Sequence, residues 1–275
     1  MKHVRFKNKK IFYKVEGKGN PVMFLHGFAE DGRVWNYQVE NLKRNYRLII
    51  PDLPGSGPSE MLEGEVMLSD YAEAIKAIVD EEIDLDKEDQ FTMIGHSMGG
   101  YITLAFAEKY PAALNGIGLF HSSSFADDEQ KKETRRKGIG FIKKNGPELF
   151  LKNTIPNLFS EKTKAKAPEL VEKLIALSKN FSGEALIQYY EAMIKRPDHS
   201  AILRSFKEPV LIIAGMHDNA VPLQASLSQS YIAAITYLHI LKLSGHMGMW
   251  EQEAHSTRHI QSFLSGLQVK HRVDI

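Results

Sequence analysis

The stretch Phe91-Thr92-Met93-Ile94-Gly95-His96-Ser97-Met98-Gly99-Gly100 decides the fold. Its first four residues form a mostly apolar run typical of a buried strand, and the residues from Met98 to Tyr110 have helical spacing. Between them lies the pattern G-x-S-x-G, from Gly95 to Gly99. The pattern is weak by itself because glycine and serine are common. The strand, tight turn and helix around it are, however, the setting that a nucleophilic serine requires.

In such a turn the serine has a strained backbone, and the two glycines let strand and helix pass without Cβ clashes. The serine oxygen is then exposed at the carboxyl end of the strand, where the helix N-terminus favours developing negative charge. A serine hydroxyl is a weak nucleophile at neutral pH and needs a neighbouring base. The rest of the chain must therefore supply a histidine and an orienting acid.

Two later strand-like runs are each followed by a suitable side chain. Asp218 follows Val210–Ala214, and His246 follows Tyr237–Leu241. Because the carboxyl ends of parallel strands meet at one edge of a sheet, we expect Ser97, Asp218 and His246 to meet there. Their order along the chain is that of one known serine triad.

The whole chain alternates short apolar runs with helix-like segments, which predicts an α/β fold with a mostly parallel sheet. The first residues, from Val4 to Val15, alternate loosely around polar residues and predict an antiparallel hairpin. The other predicted strands are Val22–Leu25, Leu48–Ile50, Phe91–Ile94, Ile117–Phe120, Val210–Ala214 and Tyr237–Leu241.

The interval from Ser122 to Ser205 contains no strand candidate, and its apolar residues are spaced helically. Since a loop of that length is uncommon in a compact domain, we expect residues 122–205 to form a helical insertion in a core of residues 1–121 and 206–275. This interval has 16 Lys and Arg against 11 Asp and Glu, a net charge of +5. Solvated surface lysines explain this charge most simply, and a preference for anionic substrates is the alternative.

Composition excludes several classes of protein. The chain has 275 residues, 43% hydrophobic and 25% charged, which is typical of a globular protein of one large domain or two. A net charge of +1 predicts neither nucleic-acid nor membrane binding, and we find no membrane-spanning run or signal peptide. With no cysteine, disulfides and thiolate metal sites are excluded, and the expected location is the cytoplasm.

Five stretches together carry a family resemblance: Phe24-Leu25-His26-Gly27-Phe28, Pro51–Ser59, Gly95–Gly100, Gly215–Pro222 and Ser244-Gly245-His246. With them the chain resembles the α/β-hydrolase fold, in the lidded branch that contains small esterases, perhydrolases and carbon–carbon hydrolases. The resemblance implies an eight-stranded, mostly parallel sheet with a helical cap after the sixth strand, which would be the helical interval of residues 122–205. It also implies that the backbone N–H groups of Phe28 and Met98 form an oxyanion hole. Family members with dehalogenase or epoxide-hydrolase activity have an aspartate in place of Ser97.

The expected function is that of a serine hydrolase acting on a small carboxylic ester or related acyl compound. We expect no cofactor and no metal, and a small-molecule substrate as the only partner; the oligomeric state is left open. His121, Trp35 and Phe125 are predicted to line the substrate pocket. Two alternatives use the same residues: a carbon–carbon hydrolase or perhydrolase, and a ligand receptor with slow turnover.

Overall fold

The computed structural model describes residues 1–85 and 90–273, and its centre is an eight-stranded sheet. The strands are β1 (Lys2–Phe6), β2 (Lys9–Glu16), β3 (Asn20–Leu25), β4 (Tyr46–Pro51), β5 (Phe91–His96), β6 (Leu114–Phe120), β7 (Val210–Gly215) and β8 (Thr236–Leu241). Their order in the sheet is β1-β2-β4-β3-β5-β6-β7-β8. β2 pairs antiparallel with β1 and with β4, and all other pairs are parallel. The predicted hairpin and all six predicted parallel strands are confirmed.

The central strands are apolar because helices cover the sheet. Every residue of β5, β6 and β7 is buried, whereas the edge strand β1 is mostly exposed. Among the described residues outside the 122–205 interval, the α-helices are α1 (Asn36–Leu42), α2 (Leu68–Glu82), α3 (Met98–Lys109), α10 (Leu223–Ser230), α11 (Gly248–Glu251) and α12 (Glu253–Val273). α2 packs against α3, and α1 packs against α12. Among the described residues, no helix is both long and apolar enough to cross a membrane.

Residues 122–205, here called the cap segment, connect β6 to β7 and contain helices but no strand. The α-helices of this segment are α4 (Glu129–Asn145), α5 (Pro147–Thr154), α6 (Glu161–Lys166), α7 (Pro168–Ser178), α8 (Gly183–Lys195) and α9 (Ser200–Ser205). Side chains of Asp128, Ser160 and Ser182 cap the first turns of α4, α6 and α8. The predicted fold class, with a helical insertion after the sixth strand, is confirmed. The division into two domains stays a prediction.

The cap segment is hydrogen-bonded to the rest of the molecule at several points. The Tyr189 hydroxyl donates to Pro54 O at 2.7 Å, and the Gln188 amide donates to Leu62 O at 2.9 Å. On the other side, the backbone N–H of His246 donates to Leu158 O at 2.6 Å. The cap segment is thus held both on the loop after β4 and on the loop after β8.

The close approach of β5 and α3 requires two glycines. A Cβ atom on Gly95 would overlap the backbone of Gly99 and Gly100. A Cβ atom on Gly99 would lie 2.6 Å from His26 O and 2.7 Å from Leu25 O, both backbone atoms of the β3 end. Backbone atoms at such distances cannot yield as a flexible side chain would, so both positions need glycine.

We expect Gly99→Ala to lower the free energy of unfolding by about 1–3 kcal/mol, because the added methyl group overpacks the strand–helix contact. Gly140→Ala is the matched control, since Gly140 lies in α4 with no atom within 4 Å of an added Cβ. Removing a helical glycine there should raise stability by about 0.5–1 kcal/mol. Urea unfolding measures both changes, and equal effects at the two sites would contradict the packing argument.

Candidate active site

Ser97 occupies the turn between β5 and α3. Its φ of 50° and ψ of −115° lie in a region that residues with a Cβ rarely adopt. The turn is held by the Ser97 N–H, which donates to Phe120 O at 2.9 Å, and by the Ser122 hydroxyl, which donates to Ser97 O at 2.8 Å. The strain predicted for this serine is therefore present, and its side chain is only partly buried.

A cavity of about 490 Å³ includes Ser97 in its wall. The core contributes Phe28, Glu30, Ser97, Tyr101, Asn219, Ala220, Val221, Pro222 and His246, and the cap segment contributes Asp128, Gln130, Lys131, Thr134, Arg135, Leu158, Tyr190 and Met193. A second cavity, of about 390 Å³ beside Arg33 and Asp52, contains none of the predicted site residues. The first cavity is thus the candidate site, because Ser97 and His246 share its wall.

Asp218 lies behind His246 and is hydrogen-bonded on both of its oxygens. Its Oδ2 accepts a hydrogen bond from His246 Nδ1 at 2.8 Å. Its Oδ1 accepts the backbone N–H groups of Ala220 at 2.8 Å and Val221 at 2.9 Å. Burial alone would raise the pKa of Asp218, but the charge of His246 and the hydrogen bonds of His121 and His246 hold that pKa well below its usual range. The carboxylate is therefore ionised at neutral pH.

His121 is the second histidine on this carboxylate. Its Nδ1 lies 2.9 Å from Asp218 Oδ2, so that one oxygen accepts from two imidazoles. Burial, only partly offset by Asp218, lowers the pKa of His121. The ring is hence neutral, with its proton on Nδ1, and its Nε2 is buried without a hydrogen-bond partner. A Cβ atom on Gly248 would lie 2.3 Å from Nε2, so the ring packs directly against the Gly248 backbone.

The three residues predicted to line the substrate pocket lie outside the lining of this cavity. Trp35 is completely buried in the core, where its ring packs against Phe24 at 4.9 Å and Phe120 at 5.2 Å between centroids. His121 is also completely buried and turned toward Asp218. Phe125 is partly buried outside the cavity lining, and its carbonyl accepts a hydrogen bond from Arg196. The sequence places these residues near the sheet edge but does not show which way their side chains turn.

Phe28 and Met98 flank Ser97. A Cβ atom on Gly27 would lie 3.2 Å from the Ser97 Cβ, so the backbone entering Phe28 passes close to the serine. Phe28 lines the cavity, and its ring stacks on Tyr190 of the cap segment at 4.4 Å between centroids. Met98 is the first residue of α3, where backbone N–H groups have no partner within the helix. Both predicted oxyanion residues thus lie close to the serine, and their role stays a prediction.

A buried ion pair that the sequence did not reveal supports this loop. His96 Nδ1 lies 2.9 Å from Glu30 Oε2, and its Nε2 lies 3.0 Å from His246 O. Both partners are acceptors, so both ring nitrogens donate and His96 is an imidazolium. Burial opposes both charges, yet Glu30 raises the pKa of His96 and His96 lowers the pKa of Glu30. The only sequence signal for this pair is the polar pair Glu30-Asp31 after the His-Gly-Phe stretch.

His121, Asp218 and His246 also form the one group among the described residues whose ligand atoms could hold a metal ion, all lying within 4.8 Å of one another. Both Nδ1 atoms are already hydrogen-bonded to the same carboxylate oxygen. Hydrogen bonds therefore account for the arrangement without an ion.

Comparisons with a family model and with a solved structure agree with the fold described above. The model of a family described as "alpha/beta hydrolase fold" matches residues 20–137. A solved structure titled as a thermophilic esterase from Thermogutta terrifontis (malate bound) superposes with a TM-score of 0.90 at 26% identity, over 97% of this chain and 99% of that one. The chain has the α/β-hydrolase fold. The family resemblance read from the sequence is thus confirmed.

Two further matches are a curated relative and a second solved structure. A 2-hydroxy-6-oxononadienedioate/2-hydroxy-6-oxononatrienedioate hydrolase of Escherichia coli K12 is 28% identical, over 94% of this chain and 92% of that protein. An enol-lactonase from Burkholderia xenovorans LB400 has a TM-score of 0.87 at 18% identity, over 96% of this chain and the whole of that one, which concerns the fold alone. Together the comparisons identify an enzyme and support a hydrolase function.

The buried pair of Glu30 and His96 gives a pH-dependent prediction. The raised pKa of His96 means that its contribution to stability is full below about pH 6.5 and is lost as pH rises through the folded-state value. The lowered pKa of Glu30 means that its contribution is full above about pH 4.3 and is lost at lower pH. We expect Glu30→Gln to lower the free energy of unfolding by about 3 kcal/mol near pH 6 and by less near pH 9.

The comparison variant is Glu63→Gln, which removes a carboxylate from an exposed pair with Lys9. It should change stability by less than about 1 kcal/mol at either pH. Urea unfolding at the two pH values is the measurement. A Glu30→Gln effect that is the same at both would show that His96 is not charged.

Proposed function

We propose that this enzyme is a serine hydrolase that cleaves a small carboxylic ester or related acyl compound through an acyl-enzyme. The observation that carries the proposal is the pairing of a strained serine with a histidine in one cavity wall, with the histidine's Nδ1 held 2.8 Å from a buried carboxylate. In this proposal Ser97 is the nucleophile, His246 the general base and Asp218 the orienting acid.

The first step follows from the tautomer of His246. Because Nδ1 faces the Asp218 carboxylate, it carries the proton, and Nε2 is left free to accept the Ser97 proton. The Ser97 oxygen attacks the carbonyl carbon, and the imidazolium that forms is stabilised by the adjacent carboxylate. His246 then gives its proton to the leaving alcohol. Water, activated by the same imidazole, hydrolyses the acyl-enzyme and releases the acid.

The oxyanion of the tetrahedral intermediate is assigned to the backbone N–H groups of Phe28 and Met98. The proximity of the Gly27–Phe28 backbone to Ser97 and the position of Met98 at the start of α3 support this assignment. Donors fixed by the fold need no reorganisation as negative charge develops, and one such donor is worth about 3–4 kcal/mol. The partial positive charge at the α3 N-terminus acts in the same direction.

The decisive test is Ser97→Ala. We expect it to lower turnover of a short-chain aryl ester by at least about 10⁴-fold, because the nucleophile is lost while the cavity remains. The control is Ser262→Ala, which removes an exposed serine hydroxyl from α12. A fluorophosphonate probe should label the wild type and Ser262→Ala but not Ser97→Ala. Unchanged hydrolysis or labelling of Ser97→Ala would refute the nucleophile assignment.

A second candidate is carbon–carbon bond hydrolysis, favoured by the similarity to the Escherichia coli hydrolase of an oxononadienedioate. The same three side chains would serve both reactions. Product analysis with a vinylogous diketone and with a simple ester separates them. Exclusive cleavage of the diketone would replace the ester proposal.

A further inference from the structure

The cap wall of the candidate active site is positively charged. Lys131 and Arg135 lie four residues apart on α4, so they occupy one face of the helix. Both line the cavity that contains Ser97 and His246. Some of the positive charge of the cap segment thus lies in the cavity wall as well as on the protein surface.

The cations in and next to this wall outnumber the carboxylate that pairs with them. Asp127 is buried, and it accepts from Arg135 Nε at 2.6 Å and lies 3.1 Å from Arg196 Nη2. Two guanidinium groups therefore share one carboxylate. Arg196 Nη1 is buried without a partner, and the Lys131 ammonium donates to the neutral carbonyl of Ala220 at 2.9 Å.

The two carboxylates in the cavity wall, those of Glu30 and Asp128, form their hydrogen bonds with other groups. Glu30 is bonded to His96 and to the N–H of Gly27, and Asp128 is exposed and caps α4 by accepting from Lys131 N at 2.7 Å. In the part of the chain that the structure describes, neither forms an ion pair with the Lys131 ammonium or with Arg135.

The excess of positive charge affects the pKa of Tyr101, which also lines the cavity. Burial alone would raise the pKa of Tyr101, but the charges of Arg196, Lys131 and Arg135 lower it. A buried phenol with a lowered pKa indicates a positive potential in the cavity.

We propose that the substrate carries a second carboxylate, which binds Arg135 and Lys131 while its ester carbonyl lies at Ser97. This inference rests on the proposed ester hydrolysis and names its substrate class: a monoester of a short dicarboxylic acid. Phe28, Tyr190 and Met193 in the same lining supply apolar contacts for the carbon chain. An incoming carboxylate would neutralise the charge that Asp127 leaves uncompensated, and Arg offers it planar, two-pronged hydrogen bonding.

The test compares the monomethyl ester of glutaric acid with methyl glutaramate, in which a neutral amide replaces the carboxylate. We expect wild-type kcat/KM, followed by methanol release, to be at least about 10-fold higher for the anion. Arg135→Gln should lower kcat/KM for the anion by about 10- to 100-fold and change the neutral ester by less than about three-fold. Arg135→Lys keeps the charge and should restore much of the loss.

Arg136→Gln is the matched control, because Arg136 is the next residue of α4, is exposed and pairs only with Glu129 and Glu133 among the described residues. It should leave the preference for the anion unchanged. Arg135→Gln leaves Asp127 paired with Arg196, so folding is retained, and Lys131→Met gives a second variant that does not touch this pair. A loss of preference in Arg136→Gln as large as in Arg135→Gln would overturn the proposal.

A binding measurement separates this inference from the proposed function. Calorimetry of glutarate with Ser97→Ala should show binding that Arg135→Gln weakens by at least about 10-fold. Ser97-dependent hydrolysis of both esters without preference for the anion, or absence of glutarate binding, overturns the carboxylate site and leaves the nucleophile standing. Glutarate binding without Ser97-dependent hydrolysis of either ester supports the site and overturns the proposed reaction.

Discussion

The crossing of β5 and α3 is the constraint on which the rest of the site depends. Gly95 and Gly99 bring strand and helix so close that the residue between them adopts a backbone conformation unfavourable for a side chain. This geometry directs Ser97 into the cavity and aims the N-terminus of α3 at the space beside it. The energy that the strained turn costs is offset by the packing of the surrounding strands, all of whose residues are buried.

Around this turn, four separate loops are joined by buried polar groups. The His96 imidazolium connects the turn to Glu30 in the loop after β3 and to the carbonyl of His246 in the loop after β8. Asp218, after β7, joins His246 to His121, after β6. Each charged group is hydrogen-bonded, which is a condition under which buried charge is tolerated. The relative positions of the proposed nucleophile, base and acid are thus set by hydrogen bonds within the core.

The sequence predicted those features that depend on local pattern. The buried strands, the turn at Ser97 and the helical interval each have a periodicity or a motif, and the order of parallel strand ends brings Asp218 beside His246. Side-chain direction was not predictable, because it depends on tertiary packing. Trp35 turns into the core, and His121, at a φ of 48°, turns toward the acid. Likewise the net charge of the cap segment was visible, but not that Lys131 and Arg135 face inward.

The contact between the cap segment and the loop after β8 limits how the pocket can be redesigned. Leu158 O accepts the N–H of His246, a Cβ on Gly245 would meet Leu158 and Ser160 at 2.7 Å, and Ser160 and Thr163 both donate to Glu251. Excising the whole cap to admit bulky acyl groups would therefore remove an acceptor from the proposed base. A wider entrance to the cavity is better obtained by shortening side chains on α4 and α8 while the Leu158–Thr163 stretch is kept intact.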